Sequence, residues 1–129
     1  MPIQLIALVL ALILFGPQIL LISSSMRTCF ENEGITEKDA EMFFNRSTLG
    51  KISPKMKCFG ACIVESMNLI DGCNLKYEEA KKNYTMEQKF DMVLALDVCK
   101  DSAKGSGRCE CGYEVFNCID NYYEKHVRQ

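Results

Sequence analysis

The chain has no tryptophan and a single histidine, His126, close to its end. Catalysis by a histidine-activated nucleophile therefore has almost nothing to work with. No G-x-S-x-G nucleophile motif is present, and the histidine–aspartate pair that a secreted phospholipase carries in a core helix is missing. An enzyme is not expected. No block of basic residues stands out, so nucleic-acid binding has no electrostatic footprint. Alternating runs of β-branched residues, internal repeats and low-complexity segments are also absent. The lack of tryptophan removes intrinsic tryptophan quenching as a binding readout.

Residues 1–25 lack any charged side chain. Ile3 to Phe15 is apolar except for Gln4, and Gly16-Pro17 breaks it. A shorter apolar run, Ile19–Ile22, and then Ser23-Ser24-Ser25 follow. This is the layout of a secretory signal peptide cleaved near Ser24 or Ser25, although the basic start is missing. The rival is a retained membrane anchor. The first run, about 13 residues, is short for a span of about 30 Å. Removal of residues 1–25 leaves about 104 residues, 26–129, hence one domain in a secreted, extracellular protein. Asn45-Arg46-Ser47 and Asn83-Tyr84-Thr85 are then candidate glycosylation sites.

What remains reads as helical. Thr36-Glu37-Lys38-Asp39 resembles a capping box opening a helix to about Phe44. Ser53-Pro54 supplies a serine cap with proline at the first helical position. Met56, Phe59, Gly60, Ile63, Val64, Met67 and Ile70 then form an i, i+3, i+4, i+7 stripe ending at Asp71-Gly72. A short helix is expected from Tyr77 to about Lys82. Another is expected from a Thr85 cap, with Met86, Phe90, Val93, Leu94 and then Leu96 or Asp97 as its stripe. Lys104–Gly107 reads as a loop. The last helix is expected from Cys109 to about Tyr123, with Gly112, Val115, Phe116, Ile119, Tyr122 and Tyr123 on one side. The fold class is all-α, five to six short helices.

Eight cysteines in so short a chain indicate a disulfide-stapled secreted domain. Cys29, Cys58, Cys62, Cys99, Cys109 and Cys118 are separated by 28, 3, 36, 9 and 8 residues. Cys58 and Cys62 leave the same face of one helix, which suits bonds to two other segments better than a bond to each other. With Cys109-Glu110-Cys111 they have the thiolates of a zinc site, but an oxidising compartment would pair them with one another. No metal and no other cofactor is expected.

Three residues between the second and third cysteines, and eight between the fifth and sixth, resemble the insect odorant-binding proteins (pheromone-binding and general odorant-binding proteins). Gly34-Ile35-Thr36 and Lys57-Cys58-Phe59 are similar to family members as well. The resemblance implies an interlocked pairing, Cys29–Cys62, Cys58–Cys109 and Cys99–Cys118. It also implies helices around an apolar cavity. Cys73 and Cys111 are additional. A fourth bridge between them is the first reading, with two free thiols or an intermolecular bond as alternatives. Members usually carry a helix before the first cysteine, and cleavage near Ser25 would leave about three residues there.

The function implied is a secreted carrier that reversibly binds an odorant, a pheromone or a fatty-acid-like lipid. By offset from the cysteines, the implied lining is Val64, Met67, Phe90, Val93, Leu96, Val115, Ile119 and Tyr122. Tyr84, Tyr113, Tyr122 and Tyr123 offer hydroxyls to a ligand head group, and His126 is the candidate for a pH-dependent release. A membrane receptor or a second copy are further conceivable partners. The alternative is a stapled interaction or reproductive-fluid factor without a ligand. A closed apolar cavity would mark the carrier and an exposed apolar patch the interaction protein. A saposin-like membrane role finds no basic amphipathic face.

Overall fold

The computed structural model describes residues 27–44 and 52–127. The leader 1–25, Asn45 and Ser47 lie outside them. Six helical stretches are found among the described residues: α1 (27–32), α2 (Glu37–Phe44), α3 (Pro54–Ser66), α4 (Tyr77–Met86), α5 (Phe90–Cys99) and α6 (Arg108–His126). Between α3 and α4 lies a small antiparallel pair, β1 (Ile70–Asp71) and β2 (Asn74–Leu75), with Ile70 opposite Leu75.

Local chemistry sets two of the helix starts. The Thr36 N–H donates to Asp39 Oδ2 and the Asp39 N–H to Thr36 Oγ1, each at 3.1 Å, so the box opening α2 is reciprocal. That amide is the main reason the Asp39 carboxyl sits below its ordinary range, with Lys55 at 3.2 Å contributing. The Ser53 hydroxyl accepts from the Met56 N–H, and Pro54 occupies the first turn of α3.

Three expectations need correction. The helix from Pro54 stops at Ser66 rather than running on towards Asp71-Gly72. Asn68 takes the left-handed conformation (φ 61°). The Asn68 N–H bonds to the Glu65 carbonyl at 3.0 Å, and the Leu69 N–H to that of Val64 at 3.0 Å. This is a Schellman cap, and it buries Leu69 completely. It also frees Ile70 to pair as a strand.

Second, Thr85 starts no helix. Its hydroxyl donates back to the Lys81 carbonyl at 2.7 Å, and α4 runs through to Met86. Gln88 (φ 59°) then makes the same cap, with the Lys89 N–H on the Tyr84 carbonyl at 2.9 Å. Third, α5 turns Met92, Ala95, Leu96 and Cys99 inwards and leaves Phe90 and Leu94 outside. Apolar residues surround this helix on every side, so its periodicity carries no phase.

The most extensive packing in the fold is between α3 and α6. A methyl at Gly112 would lie 2.4 Å from the Ala61 Cβ and 2.5 Å from its Cα, so the two backbones meet there. One turn away, Cys58–Cys109 joins the same helices with Cα atoms 4.2 Å apart. Phe59 touches Phe30 and Phe43 at ring separations of 5.0 and 5.1 Å, and Phe43 reaches Phe116 at 5.0 Å. These rings join α1 and α2 to the α3–α6 pair. At the surface, Arg108 Nε donates to both Glu65 carboxylate oxygens, at 3.0 and 2.8 Å. Its Nη2 reaches Glu33 at 3.3 Å.

Candidate functional site

All eight cysteines are bonded: Cys29–Cys62, Cys58–Cys109, Cys73–Cys111 and Cys99–Cys118. The pair Cys73–Cys111 ties the hairpin turn to the first turns of α6, and its alternatives, free thiols or an intermolecular bond, are not seen. Three of the four bridges end on α6. That helix is therefore held from the hairpin, from α3 and from α5.

The residues singled out by offset from the cysteines divide into three groups. Val64, Leu96, Val115 and Ile119, from α3, α5 and α6, converge in one buried apolar cluster. Met67 and Tyr122 pack against its edge, and Val93 is half-buried. Phe90 stands apart at 57% exposure. Val64 of α3 and Val115 and Ile119 of α6 meet through the α3–α6 packing, and Leu96 joins them through the packing of α5 on α6.

A cavity of about 440 Å³ opens where the end of α5 meets the second half of α6. Val98, Asn117, Asn121, Tyr122, Lys125 and His126 are among its walls, with Asp101, Glu114 and Lys104 contributing charge of both signs. Of the offset-derived residues only Tyr122 borders it. His126, singled out on other grounds, borders it too. The sequence reading missed Val98, Asn117, Asn121 and Lys125, although the last three recur every fourth residue and so share one helix face. His126 is exposed, and its ring lies 4.7 Å from that of Tyr122.

The four tyrosine candidates differ in setting. Burial, followed by the nearby Glu87 carboxylate, pushes the Tyr84 hydroxyl up to about 12. It is therefore neutral at any physiological pH. Tyr113 is buried against Gly60. Tyr122 and Tyr123 pack on the margin of the core. A fifth, Tyr77, donates a short hydrogen bond to Asp97, and Lys81 completes the group at 3.2 Å from the Tyr77 oxygen and 3.3 Å from Asp97. This knot fastens α4 to α5 on the surface, and it holds the Asp97 carboxyl below its ordinary range.

A helical unit with interlocked bridges at this spacing has a counterpart among known families. The profile described as PBP/GOBP family matches residues 17–122. The chain belongs to the PBP/GOBP family. The match runs through every helix described above, up to Tyr122 within α6. No curated protein and no solved structure matches it significantly. PBP/GOBP proteins are a binding family rather than an enzyme family, and small ligands are what they carry. Among the described residues, no helix is long and apolar enough to cross a membrane.

Proposed function

We propose that this protein is a secreted carrier that binds a small hydrophobic molecule reversibly, in the class of odorants, pheromones or fatty-acid-like lipids. The observation that carries this reading is the PBP/GOBP match over residues 17–122, which spans all of the helices. The ligand would lie among α3, α5 and α6, against Val64, Met67, Val93, Leu96, Val115, Ile119 and Tyr122. Four of these are packed together in the core, so entry there requires the core to open, and Tyr122 is the wall that this cluster shares with the cavity between α5 and α6. Phe90, exposed on the outer side of α5, has no part in it.

Burial supplies the driving force. At about 0.8 kcal/mol per methylene, a ligand of roughly 10 to 16 carbons gains about 8 to 13 kcal/mol gross. Lost translational and rotational freedom removes several kcal/mol. Micromolar affinity, about 8 kcal/mol net, is the expected result, and release is correspondingly easy. The staples matter here because a cavity costs stability, and covalent cross-links offset that cost.

Secretion follows from the leader reading, with the mature domain at 26–129. The family match starts at residue 17, ahead of that junction. Amino-terminal sequencing of the secreted protein decides between a start near 26 and a start near 17, the latter keeping Ile19–Ile22 in the mature chain. Asn83 lies exposed on α4, open to a glycan. Removal of N-glycans with a mass loss would establish its use, or that of Asn45.

Uptake of an apolar fluorophore such as N-phenyl-1-naphthylamine, displaced by alcohols or acids of increasing chain length, tests the carrier directly. A displacement optimum at one chain length is the expected result. Absence of uptake by the correctly bridged protein would remove the carrier reading and leave the stapled interaction factor in its place.

A further inference from the structure

A thiolate opens a disulfide only by reaching one of its sulfurs, so access ranks the bridges of a folded protein. Cys73 is the one exposed cysteine of the eight. Cys29, Cys99 and Cys111 are each 1% exposed, and the other four are half-buried. With Asp71 opposite Asn74, Gly72 and Cys73 are the two residues of the hairpin turn. The strands that carry this turn have two residues each. The Cys73 sulfur lies 3.4 Å from the carbonyl oxygen of Gly107, in the exposed loop Lys104–Gly107. Among the described residues, a methyl at Gly72 or at Gly107 would meet nothing within 4 Å beyond its chain neighbours. The sulfur thus sits between two stretches of backbone with open space beside both.

We propose that Cys73 is a site of reversible S-thiolation: a low-molecular-weight thiol of the cysteine or glutathione class opens Cys73–Cys111 ahead of the other bridges and stays on Cys73 as a mixed disulfide. A lone pair of the attacking sulfur forms the bond to the Cys73 sulfur. The Cys73–Cys111 bond breaks, and its electron pair leaves on the Cys111 sulfur. That sulfur takes up the proton given up by the attacking thiol. One S–S bond is made and one is broken, so no further oxidant or reductant is needed. Burial makes Cys111 the leaving sulfur rather than the one attacked. It stands in the first turns of α6 with its side chain turned back towards the helix start, where the dipole favours a departing thiolate. Once protonated, the thiol has an acceptor at hand in the Gly105 carbonyl, 3.6 Å from the sulfur.

The change stays local. Cys109 and Cys111 are two positions apart and leave different sides of α6, so the freed thiol does not face the Cys58–Cys109 bridge. That bridge and Cys99–Cys118 keep α6 fastened to α3 and α5. Only the hairpin comes loose from α6. The freed Cys111 competes with the added thiol at an effective concentration on the order of millimolar. The adduct therefore forms at millimolar thiol, and the bridge recloses when the thiol is removed.

Incubation of the protein as secreted by eukaryotic cells with about 1–10 mM reduced glutathione tests this. Trapping with N-ethylmaleimide in denaturant and peptide mass mapping then locate every sulfur. One glutathione on Cys73 and one maleimide on Cys111 are expected, with the other six cysteines still bridged. This bridge should open at least about tenfold faster than any other, because buried sulfurs react only through local opening of the fold. Removal of glutathione before trapping should return the four-bridge mass. Cys73→Ser combined with Cys111→Ser, folded by circular dichroism, should take up no glutathione under the same conditions. Uptake equal to wild type by that variant overturns the proposal. So does an adduct on Cys111, a first label on any of the other six cysteines, or no adduct across the concentration range. The wild-type map decides alone where the double variant does not fold.

Discussion

Gly112→Ala probes the closest contact in the molecule. The added Cβ would lie 2.4 Å from the Ala61 Cβ and 2.5 Å from the Ala61 Cα. Carbon atoms pack at about 3.5–4.0 Å, so α3 and α6 must part by about 1 Å or slide. Cys58–Cys109, with its Cα atoms 4.2 Å apart, resists both movements. Overpacking of this kind costs about 1–3 kcal/mol. Alanine recovers up to about 1 kcal/mol through its better helix propensity. The net effect is a loss of about 1–2 kcal/mol, and each kcal/mol moves the midpoint of a domain this size by about 4–8 °C. Gly60→Ala is the control. It receives the same helix benefit but meets only movable side chains, Tyr113 at 3.2 Å and Phe43 at 3.4 Å. Thermal unfolding should therefore rank wild type and Gly60→Ala close together and Gly112→Ala well below. Adding Ala61→Gly should restore only part of the loss, because the Ala61 Cα stays in the way. A Gly112→Ala protein that melts at or above wild type would refute the close crossing.

Thr36→Ala should cost about 1 kcal/mol in urea unfolding at neutral pH, the usual value of a helix cap. Asp39→Asn should instead show a loss that shrinks in acid: the Asp39 carboxyl has a lowered folded pKa, chiefly through the Thr36 amide that Thr36→Ala keeps, so its contribution holds above the ordinary 3.8 and fades as pH falls below it. Tyr84 works in the opposite direction. Its raised folded pKa stabilises the fold fully below pH 10, and that stability drains as pH rises from 10.0 towards about 12. A near-ultraviolet absorbance titration should find one late-ionising tyrosine that Tyr84→Phe removes, together with about 2 kcal/mol of alkaline destabilisation. Replacing Cys73 and Cys111 by serine together should leave a folded protein with three bridges, weaker by about 3 kcal/mol in denaturant unfolding. An unchanged midpoint would mean that this bridge closes no loop the other three leave open.

The parts of the fold that were legible in sequence are those settled within a few residues. Ser53-Pro54 and the Thr36–Asp39 box mark helix starts because their side-chain groups satisfy backbone donors three residues away. The last helix was found to within a turn at its end, since Gly112, Val115, Phe116 and Ile119 keep one phase over its length. Helix ends were harder. Asn68 and Gln88 carry the left-handed turns usually given to glycine; asparagine is a known substitute there, but the stripe continuing through Met67 and Ile70 hides it, and glutamine gives no such signal. Thr85 fits a cap equally well on paper, and only the position of the Lys81 carbonyl decides that it bonds backwards. α5 was unreadable in phase because every side of it is apolar. For the candidate site, Val64, Leu96, Val115 and Ile119 were brought together by tertiary packing, whereas Phe90 depended on the phase of α5 and fell outside. Six of the cysteine partners came from the spacing shared with a family, which geometry along the sequence does not supply.

The order of the bridges has a consequence for how the molecule is destroyed. Cys29–Cys62, Cys58–Cys109 and Cys99–Cys118 overlap in sequence, so each covers the gap left by the one before it. A protease that cuts one peptide bond anywhere between Cys29 and Cys118 leaves two fragments still covalently joined. The exposed loop Lys104–Gly107 is straddled by three bridges at once. A nicked chain would run at full mass until reduced. Such a molecule can outlast its own first cleavage with the core still in place.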